Sequence, residues 1–511
     1  MQSLEITVPL LIGGLALIGS LDPIMTELSP ARTRVAPSPT GDPHVGTAYQ
    51  ALFDFAWARR TGGQFVLRIE DTDRARLVEG SEQQIYDSLS WLGLEPDESP
   101  VAGGPYGPYR QSERLETYRP FVDQLLADGH AYHCWCTPER LAEMREQQQA
   151  SKQATTGYDR LCHGKTAEQR AALPGFQPTP VVRMFVPDDV PLVFDDLIGG
   201  ELSAPRPDDQ VILKADGFPT YHLAVVVDDH LMGITHMVRG QEWISSTPKQ
   251  ILLHQWLGWQ VPAFAHTPLI RNTDRSKLGK RKSPWAKLSW FREQGYLPEA
   301  LLNFLMLLGH PPVHEGDDVQ SLDEFVQHFD WSRINPAGAV FDLKKMDWLN
   351  GHYLRELSTE ELTARIIEFE AARGRALDHN QRAVLSHAVP LVQPRMTLLG
   401  DALSAIEFLL TEDDQLTVAE DARASLPPNA GEVLAAAFTA LEHLTDWDHE
   451  MIQANLREAL VDGLGLKPKV AFAPVRVAIA GSKVSPPLFE SMEILGRESS
   501  LRRLVGLRET L

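Results

Sequence analysis

A histidine and a glycine mark the point where a strand-like segment passes into a helix-like segment. Residues 34–47 read RVAPSPTGDPHVGT, so prolines precede His44 and Gly46 follows it. Residues 45–60 place apolar or small side chains at the spacing of one helix face. A loop that runs from a strand into a helix N-terminus directs backbone N–H groups and the positive end of the helix dipole to one point. The pattern predicts a phosphate cradle in which His44 donates to a phosphoryl oxygen, whereas this stretch taken alone favours an ordinary turn.

A second charged segment, residues 275–282, reads RSKLGKRK. A solvated surface loop is the common explanation of such a basic run. Beside a phosphate cradle, however, Lys277 and Lys280 could neutralise a pyrophosphate leaving group. The two segments together predict phosphoryl-transfer chemistry on a nucleotide.

All three cysteines of the chain fall in one segment, as Cys134, Cys136 and Cys162, with Tyr158 and His163 nearby. On a strand, residues i and i+2 point to the same side, so the first two sulfur atoms could face one metal ion. A third thiolate and a nitrogen or oxygen ligand would complete a tetrahedral structural zinc site. Three buried free thiols are the alternative. So few cysteines in a long chain give no disulfide framework and indicate a reducing compartment.

The length and charge of the chain limit its class. At 511 residues it exceeds what one hydrophobic core supports, so we expect several domains. A formal net charge of −21 argues against a uniformly basic nucleic-acid-binding protein, although a local basic face could still bind RNA. We expect a cytoplasmic monomer with no membrane association.

The N-terminal segment fits neither a signal peptide nor a membrane span. Residues 6–21 are almost wholly apolar, but they include Pro9, and Arg32 is the first basic residue. A signal peptide has a basic n-region, and a spanning helix needs about 20 apolar residues. We interpret residues 1–24 as a poorly ordered extension from an upstream start codon, with a membrane anchor as the alternative.

Strand-like and helix-like segments alternate through the first half of the chain, which predicts a parallel α/β sheet. The strand-like segments are 64–69 and 224–227, the helix-like segments are 85–92, 115–125 and 250–257, and residues 131–209 interrupt the pattern as an insertion. Helices dominate from Leu297 onward. Ser358 begins a capping-box pattern, with Leu362, Ile366 and Phe369 on one face of the helix behind it.

These segments together resemble the glutamyl-tRNA synthetases, a class I aminoacyl-tRNA synthetase family. Residues 44–47 (HVGT) are similar to the HIGH signature of that class, and residues 277–281 (KLGKR) to its KMSKS signature. The resemblance runs from Arg32 to the C-terminus and includes residues 68–73 (RIEDTD), 109–114 (YRQSER), 194–197 (FDDL), 216–224 (DGFPTYHLA), 228–233 (DDHLMG) and 297–303 (LPEALLN).

The resemblance implies a multidomain fold, α/β plus all-α. A Rossmann-like parallel-sheet catalytic domain would carry an inserted subdomain that binds the tRNA acceptor end, and a helical C-terminal region would bind the anticodon. The implied parts are the extension (1–30), the two halves of the catalytic domain (31–130 and 211–275), the insert (131–210), the KMSKS-type loop with a stem-contact domain (276–348) and the anticodon-binding helices (349–511).

The resemblance also implies the reaction. A glutamate–tRNA ligase uses ATP with Mg²⁺ to form glutamyl-adenylate and transfers the glutamyl group to tRNA(Glu). The implied catalytic residues are His44, Lys277 and Lys280. Arg34 and Arg239 would grip carboxylate groups. The other implied contacts are Ser38, Glu70, Tyr221 and Glu242 for the ammonium group and the closure of the glutamate pocket, and Pro37, Thr40, Gly41, His44, Gly46, Thr47, Lys277, Lys280 and Arg281 for ATP.

Two further sites follow from the resemblance. Zinc-bearing relatives have Cys-x-Cys followed by Tyr-x-x-x-Cys, which is the spacing of Tyr158 and Cys162, so Tyr158 is the implied fourth ligand and His163 the alternative. One arginine among the C-terminal helices would discriminate glutamate from glutamine anticodons, and Arg395 is the candidate. The other basic residues considered there are Lys467, Lys469, Arg502 and Arg503, each of which could equally be a solvated surface cation.

Three positions depart from the family pattern. Val225 stands where asparagine is usual, Gly279 where serine is usual and Gln241 where glutamate is common. The rival interpretations are a glutaminyl-tRNA synthetase, a shortened tRNA-modifying paralogue, a small-molecule adenylyltransferase and a non-enzymatic RNA-binding module. Residues 37–41 (PSPTG) and the helical last third argue against the glutaminyl enzyme, and the roughly 160 residues after Trp348 argue against the shortened paralogue. The helical domains with basic tails argue against a small-molecule adenylyltransferase, and His44 with Lys280 argues against a non-enzymatic module.

Overall fold

The computed structural model describes residues 29–151, 157–190, 192–279 and 283–511. Residues 1–24, interpreted above as an extension, and the basic residues 280–282 lie outside these ranges. Among the described residues, no helix combines the length and the apolar character needed to cross a bilayer.

The described residues form strands in the first two thirds of the chain and helices throughout. The strands are β1 (Arg32–Val35), β2 (Gln64–Leu67), β3 (Ala131–Cys136), β4 (Phe176–Met184), β5 (Val193–Asp196), β6 (Gly200–Ser203), β7 (Val211–Leu213), β8 (His236–Gly240), β9 (Ala263–Thr267), β10 (Ile270–Arg271) and β11 (Ala339–Val340). The helices that precede the end of β11 are α1 (Val45–Arg60), α2 (Ser81–Trp91), α3 (Leu115–Ala127), α4 (Pro138–Ala150), α5 (Ala167–Ala171), α6 (Tyr221–Leu231), α7 (Thr247–Trp256), α8 (Leu288–Gln294), α9 (Pro298–Gly309) and α10 (Leu322–His328). The helices that follow are α11 (Leu343–Glu356), α12 (Thr359–Ala372), α13 (His379–Val392), α14 (Asp401–Leu410), α15 (Glu420–Ala424), α16 (Ala430–Leu441), α17 (His449–Leu456), α18 (Pro468–Ala480), α19 (Leu488–Leu495) and α20 (Arg497–Arg508).

Two pairs of parallel strands form the floor of the site. Strand β1 pairs with β2, and β8 pairs with β9 in a register that sets Arg239 opposite His266. The backbone N–H of Thr235 donates to the carbonyl of Arg32 at 3.0 Å, which ties the two pairs together. Helix α1 packs against β1, β2 and β8 through a fully buried face that includes Leu52. The predicted parallel α/β arrangement is therefore present.

The insertion predicted over residues 131–209 contains antiparallel strands and the helices α4 and α5, and its sheet extends to β7, just beyond the predicted range. Strands β3, β4 and β7 form one sheet in that order, and the register of β3 against β4 shifts between Cys134 and Cys136. Strands β5 and β6 form a hairpin whose turn is held by Asp196. The Oδ1 atom of Asp196 accepts the backbone N–H groups of Ile198 and Gly199 at 3.0 and 2.8 Å.

The strand predicted at 224–227 was wrong, because these residues lie inside α6. The run AVVV is rich in β-branched residues, which favours a strand on local propensity alone. All four side chains are fully buried, however, and a short apolar run buried on every side has no periodicity that distinguishes helix from strand. Val225 is part of this packed core, one helical turn after Tyr221.

The last third of the described chain is helical, as predicted. Ser358 caps α12 by accepting the backbone N–H of Glu361 at 3.1 Å. Leu362, Ile366 and Phe369 are buried on the face that their spacing predicted. These side chains belong to one hydrophobic cluster that continues from α1 into the C-terminal helices.

Candidate nucleotide and amino-acid site

His44 is the N-cap residue of α1. Its Nδ1 accepts the backbone N–H of Gly46 at 2.9 Å and so satisfies one of the orphan donors at the helix start. A neutral histidine whose Nδ1 accepts carries its proton on Nε2, so the second ring nitrogen is a donor. The first turn of α1 contains no acidic residue, which leaves the positive end of the helix available to an anion.

A cavity of about 420 Å³ opens beside His44 and is called here the nucleotide-side cavity. Gly46 and Thr47 line it on the side of the helix, and Lys277 and Gly279 line it on the side of the basic loop. The structure therefore brings the two charged segments of the sequence to one space, although they are more than two hundred residues apart.

The basic loop is held by polar contacts at its base. The Nδ2 group of Asn272 donates to Ser276 Oγ at 3.0 Å, and Ser283 Oγ donates to Asn272 Oδ1 at 2.9 Å. A Cβ atom built on Gly279 would meet no atom within 4 Å, so the serine usual in the family would fit there. Lys280 and Arg281, the other basic residues predicted to bind ATP, lie outside the described residues.

The turn ahead of His44 connects the two sides of the site. The carbonyl of Pro37 accepts the backbone N–H of Glu70 at 3.1 Å, and Thr40 N–H donates to the carbonyl of Ser38 at 2.8 Å. Gly41 adopts a left-handed φ of 112°, which favours glycine. Ser38 lines the second cavity, whereas Pro37, Thr40 and Gly41 are absent from the lining of both cavities and form the turn between them.

A second cavity of about 550 Å³, called here the amino-acid-side cavity, adjoins the first. It brings together five of the six residues predicted to bind glutamate, namely Arg34, Ser38, Glu70, Tyr221 and Arg239. The sixth, Glu242, is exposed and lines the nucleotide-side cavity instead.

The sequence interpretation did not identify three other residues of the site. Gln50 and Trp243 line both cavities, so they stand where the two meet, and Lys214 lines the amino-acid-side cavity. Helical spacing offered a signal for Gln50, which follows Thr47 by three residues and therefore shares its side of α1. Lys214 lies on the loop after β7 and has no such signal.

The two arginines of the amino-acid-side cavity have different partners. Arg34 forms a two-point ion pair with Asp229, with Nε–Oδ1 and Nη2–Oδ2 distances of 3.2 and 3.1 Å, and its Nη1 donates to the carbonyl of Val238. The fully buried Arg68 donates to the same Asp229 at 2.7 Å. Burial alone would lower the pKa of Arg34, but the Asp229 carboxylate raises that pKa above its ordinary value. Arg34 is therefore already neutralised by the protein.

Within the described ranges, the hydrogen-bond partners of Arg239 are neutral. Its Nε donates to His266 Nε2 at 3.1 Å, its Nη2 donates to Thr247 Oγ1 at 2.7 Å, and its Nη1 donates to Gln250 Oε1. Burial lowers the pKa of Arg239 below its ordinary value, and Tyr221 raises it only in part. The guanidinium is thus a buried positive charge at a cavity wall without a carboxylate partner among the described residues.

Glu70 supplies the opposite charge in the same cavity. Burial raises the pKa of its carboxyl group, and the Arg68 guanidinium, 3.0 Å away, acts in the opposite direction. The carboxylate at one wall and the Arg239 guanidinium at another give the cavity a site for a cation and a site for an anion. An amino acid carries both charges.

The three cysteine sulfur atoms lie within 4.8 Å of one another, and all three residues are buried and free of disulfides. The Tyr158 hydroxyl lies 3.4 Å from Cys134 Sγ and 3.3 Å from Cys136 Sγ. His163 is exposed and stacks on Phe185 at 4.3 Å, outside this cluster. The cluster is compatible with zinc, and the geometry favours Tyr158 over His163 as the fourth donor.

The basic residues of the helical region differ in accessibility. Arg395 is exposed at the edge of a cavity of about 310 Å³ between α13 and the loop after α18. Arg503, in contrast, is buried, since it donates to Asp413 and to the carbonyls of Phe408 and Ile479. Arg503 therefore holds helices together and is excluded as a surface contact to RNA.

Comparison with known proteins agrees with this geometry. Residues 30–348 match the family described as tRNA synthetases class I (E and Q), catalytic domain, and residues 359–507 match the anticodon binding domain. A glutamate–tRNA ligase of Cutibacterium acnes is 62% identical over 487 residues, which cover 94% of this chain and 98% of that protein. A glutamate–tRNA ligase of Acidothermus cellulolyticus is 64% identical over 477 residues, with coverages of 93% and 94%.

Solved structures give the same result. The crystal structure of a glutamate tRNA ligase from Elizabethkingia meningosepticum, in complex with its amino acid, has a TM-score of 0.82 and 32% identity, and the match covers 94% of this chain and 100% of that chain. The resemblance seen in the signature segments thus extends over nearly the whole chain. The chain belongs to the class I tRNA synthetases for glutamate and glutamine, and within them to the glutamate–tRNA ligase family.

Proposed function

We propose that this protein activates L-glutamate with ATP and transfers the glutamyl group to the 3′ end of tRNA(Glu), releasing AMP and pyrophosphate. The observation that carries the proposal is the pair of adjoining cavities. One has a helix N-terminus and a histidine suited to a phosphate, and the other has a buried arginine that pairs with no carboxylate in the part of the chain that the structure describes.

The charges of the amino-acid-side cavity orient the substrate. The acyl group transferred to tRNA is the α-carboxyl, so the α-carboxylate must face the nucleotide-side cavity. The side-chain carboxylate then pairs with Arg239, whose donors match a carboxylate, and Glu70 with Ser38 binds the ammonium group. Arg34 lines the same cavity, but its guanidinium is paired with Asp229 and leaves the side-chain carboxylate to Arg239.

Adenylate formation needs positioning and charge stabilisation rather than a protein nucleophile. An α-carboxylate oxygen attacks the α-phosphorus of ATP, a carbon–oxygen–phosphorus bridge forms, and the bond to the pyrophosphate oxygen breaks. His44 donates from Nε2 to the transferring phosphoryl group, and Lys277, with Lys280 and Arg281, stabilises the departing pyrophosphate. Mg²⁺ enters with ATP as part of that substrate. The 2′-hydroxyl of the terminal adenosine of tRNA, as class I membership implies, then attacks the carbonyl carbon of the adenylate; the ester bond forms, the hydroxyl proton is lost, and the bond to the phosphate oxygen breaks to release AMP.

An ATP–pyrophosphate exchange assay tests this function. Exchange should depend on glutamate, should respond to added tRNA(Glu), and should be far weaker with glutamine, since an amide gives Arg239 no negative charge. Exchange with glutamine that equals exchange with glutamate would refute the assignment of the side-chain pocket. Exchange without any amino acid dependence would refute the function itself.

We also propose that Cys134, Cys136, Cys162 and Tyr158 hold a structural zinc ion. Arg170 is fully buried and donates to Cys136 Sγ at 3.5 Å, and the Arg183 guanidinium lies 4.1 Å from the centre of the Tyr158 ring. Neither arginine has a carboxylate ion pair within the described part of the chain. Two buried cations need negative charge nearby; three thiolates around Zn²⁺ leave a net charge of about −1 at the cluster, whereas three neutral thiols supply none.

The remaining partner is tRNA. The match of residues 359–507 to an anticodon binding domain supports a role of the C-terminal helices in reading tRNA, and the exposed Arg395 remains the candidate for base recognition. We keep the division proposed from the sequence, in which residues 131–210 contact the acceptor end and residues 276–348 the stem.

A further inference from the structure

His266 stands beside Arg239 on the neighbouring strand and accepts its Nε–H. The two residues are directly opposite each other in the parallel pair of β8 and β9, with Arg239 Nε and His266 Nε2 3.1 Å apart. Thr247 Oγ1 lies 3.2 Å from the same His266 Nε2 and accepts from Arg239 Nη2. All three side chains are buried. The imidazole thus holds the Nε side of the Arg239 guanidinium in place.

The tautomer of His266 is fixed by Asp196. The Oδ2 atom of Asp196 lies 2.7 Å from His266 Nδ1 and accepts the backbone N–H of His266 at 3.0 Å. Burial lowers the pKa of His266, so the ring is neutral with its proton on Nδ1 and a lone pair on Nε2. The other carboxylate oxygen accepts from the turn of the β5–β6 hairpin, so the Asp196 carboxylate cannot rotate without losing those bonds.

This arrangement orients Arg239 without neutralising it. A carboxylate in direct contact, such as the one that Asp229 provides to Arg34, would compete with the substrate for the guanidinium. A neutral imidazole accepts one hydrogen bond and leaves the positive charge to the ligand. Asp196 acts only through the ring, because its carboxylate touches His266 and the hairpin turn.

We propose that Asp196 and His266 are positioning residues that hold the Arg239 guanidinium ready for the side-chain carboxylate of glutamate. The inference rests on the proposed role of Arg239 in binding that carboxylate. It also connects the inserted segment to the substrate, because Asp196 ends β5 of the insert.

Two substitutions of His266 separate positioning from packing. His266→Gln keeps an acceptor near the position of Nε2, whereas His266→Asn keeps a donor for Asp196 but ends short of Arg239. In tRNA-supported ATP–pyrophosphate exchange, H266N should raise KM for glutamate about tenfold, the scale of one lost hydrogen bond to a charged group, with KM for ATP within about twofold. H266Q should stay within about threefold of the parent protein. Equal KM changes for the two variants, or a parallel rise in KM for ATP, would overturn the proposal.

A double-mutant cycle with Arg239→Gln gives a readout that general loss of packing would not move. If His266 acts through Arg239, the double variant R239Q/H266N should be no worse for glutamate than R239Q alone. Additive losses would reject the proposal. If R239Q leaves KM for glutamate unchanged, the proposed carboxylate site itself is wrong. If R239Q raises KM for glutamate but H266N does not, the carboxylate site stands and only the positioning role of His266 is wrong.

Two further variants keep the test decisive. Thr247→Val preserves the side-chain volume and removes the hydroxyl that contacts both Arg239 and His266. It replaces H266N if that variant does not fold. It should also raise KM for glutamate without raising KM for ATP. An unchanged KM in T247V would then count against the proposal. His310→Asn alters a buried histidine that follows α9 and lines neither cavity, and it should leave KM for glutamate unchanged.

Discussion

Replacing Arg34 and Arg239 one at a time should separate a cation that holds the fold from a cation reserved for the substrate. Arg34→Gln removes the two-point partner of Asp229, and Arg68 remains as the other partner of that carboxylate. Breaking a buried ion pair costs about 3–5 kcal/mol of unfolding free energy, and the surviving Arg68 contact places this variant near the lower bound, at about 3 kcal/mol.

Arg239→Gln should have the opposite profile. The variant leaves neutral acceptors without a donor but leaves no charge unpaired, so the unfolding free energy should fall by about 1 kcal/mol, less than in R34Q. Two hydrogen bonds from a guanidinium to a substrate carboxylate are each worth about 1.5 kcal/mol, so their loss should raise KM for glutamate about a hundredfold.

Urea unfolding and ATP–pyrophosphate exchange with saturating tRNA measure the two effects. Arg119→Gln is a matched control, because Arg119 also pairs with a carboxylate but is 63% exposed, and it should alter neither quantity. The reasoning fails if R239Q loses as much stability as R34Q, or if KM for glutamate rises equally in both. The first result would mean that Arg239 is a structural cation, and the second that Arg34 binds the substrate as Arg239 does.

The parts of the site that the sequence predicts are those encoded by local spacing. His44 and Gly46 are two residues apart at a helix start, and Cys134 and Cys136 are two residues apart on a strand, so their geometry follows from the element that carries them. The C-terminal helix faces were predicted for the same reason, since Leu362 and Ile366 repeat at helical spacing.

The parts that it misses depend on contacts between distant segments. Arg34 and Arg239 look equivalent in the sequence, and only the fold reveals that Asp229, 195 residues after Arg34, neutralises the first of them. Glu242 follows β8 by two residues, and the turn at that point directs it to the nucleotide-side cavity. The AVVV run of α6 was predicted as a strand from its local propensity. That prediction failed because burial on all sides, rather than propensity, determines the conformation of the run.

Four further perturbations test the remaining assignments. His44→Asn keeps an acceptor for Gly46 N–H but loses the Nε2 donor, so ATP–pyrophosphate exchange should fall about a hundredfold with unchanged stability. His44→Ala should lose the helix cap as well. Full exchange in H44N would show that His44 does not act as a donor. Elemental analysis should find about one zinc per chain in the parent protein and none in Cys136→Ser. A metal-free protein with full activity would show that the three cysteines are buried free thiols. Gly279→Ser should keep exchange within about twofold, because a Cβ there meets open space, and a larger loss would mean that the loop needs glycine. Arg395 is exposed, so Arg395→Gln should leave the unfolding midpoint unchanged. A base-reading arginine contributes to one tRNA and not to the other, so aminoacylation by this variant should discriminate less between tRNA(Glu) and tRNA(Gln). A cation that contacts phosphate would instead weaken both tRNAs alike and reduce the salt dependence of binding, and equal losses would reject Arg395 as the discriminating residue.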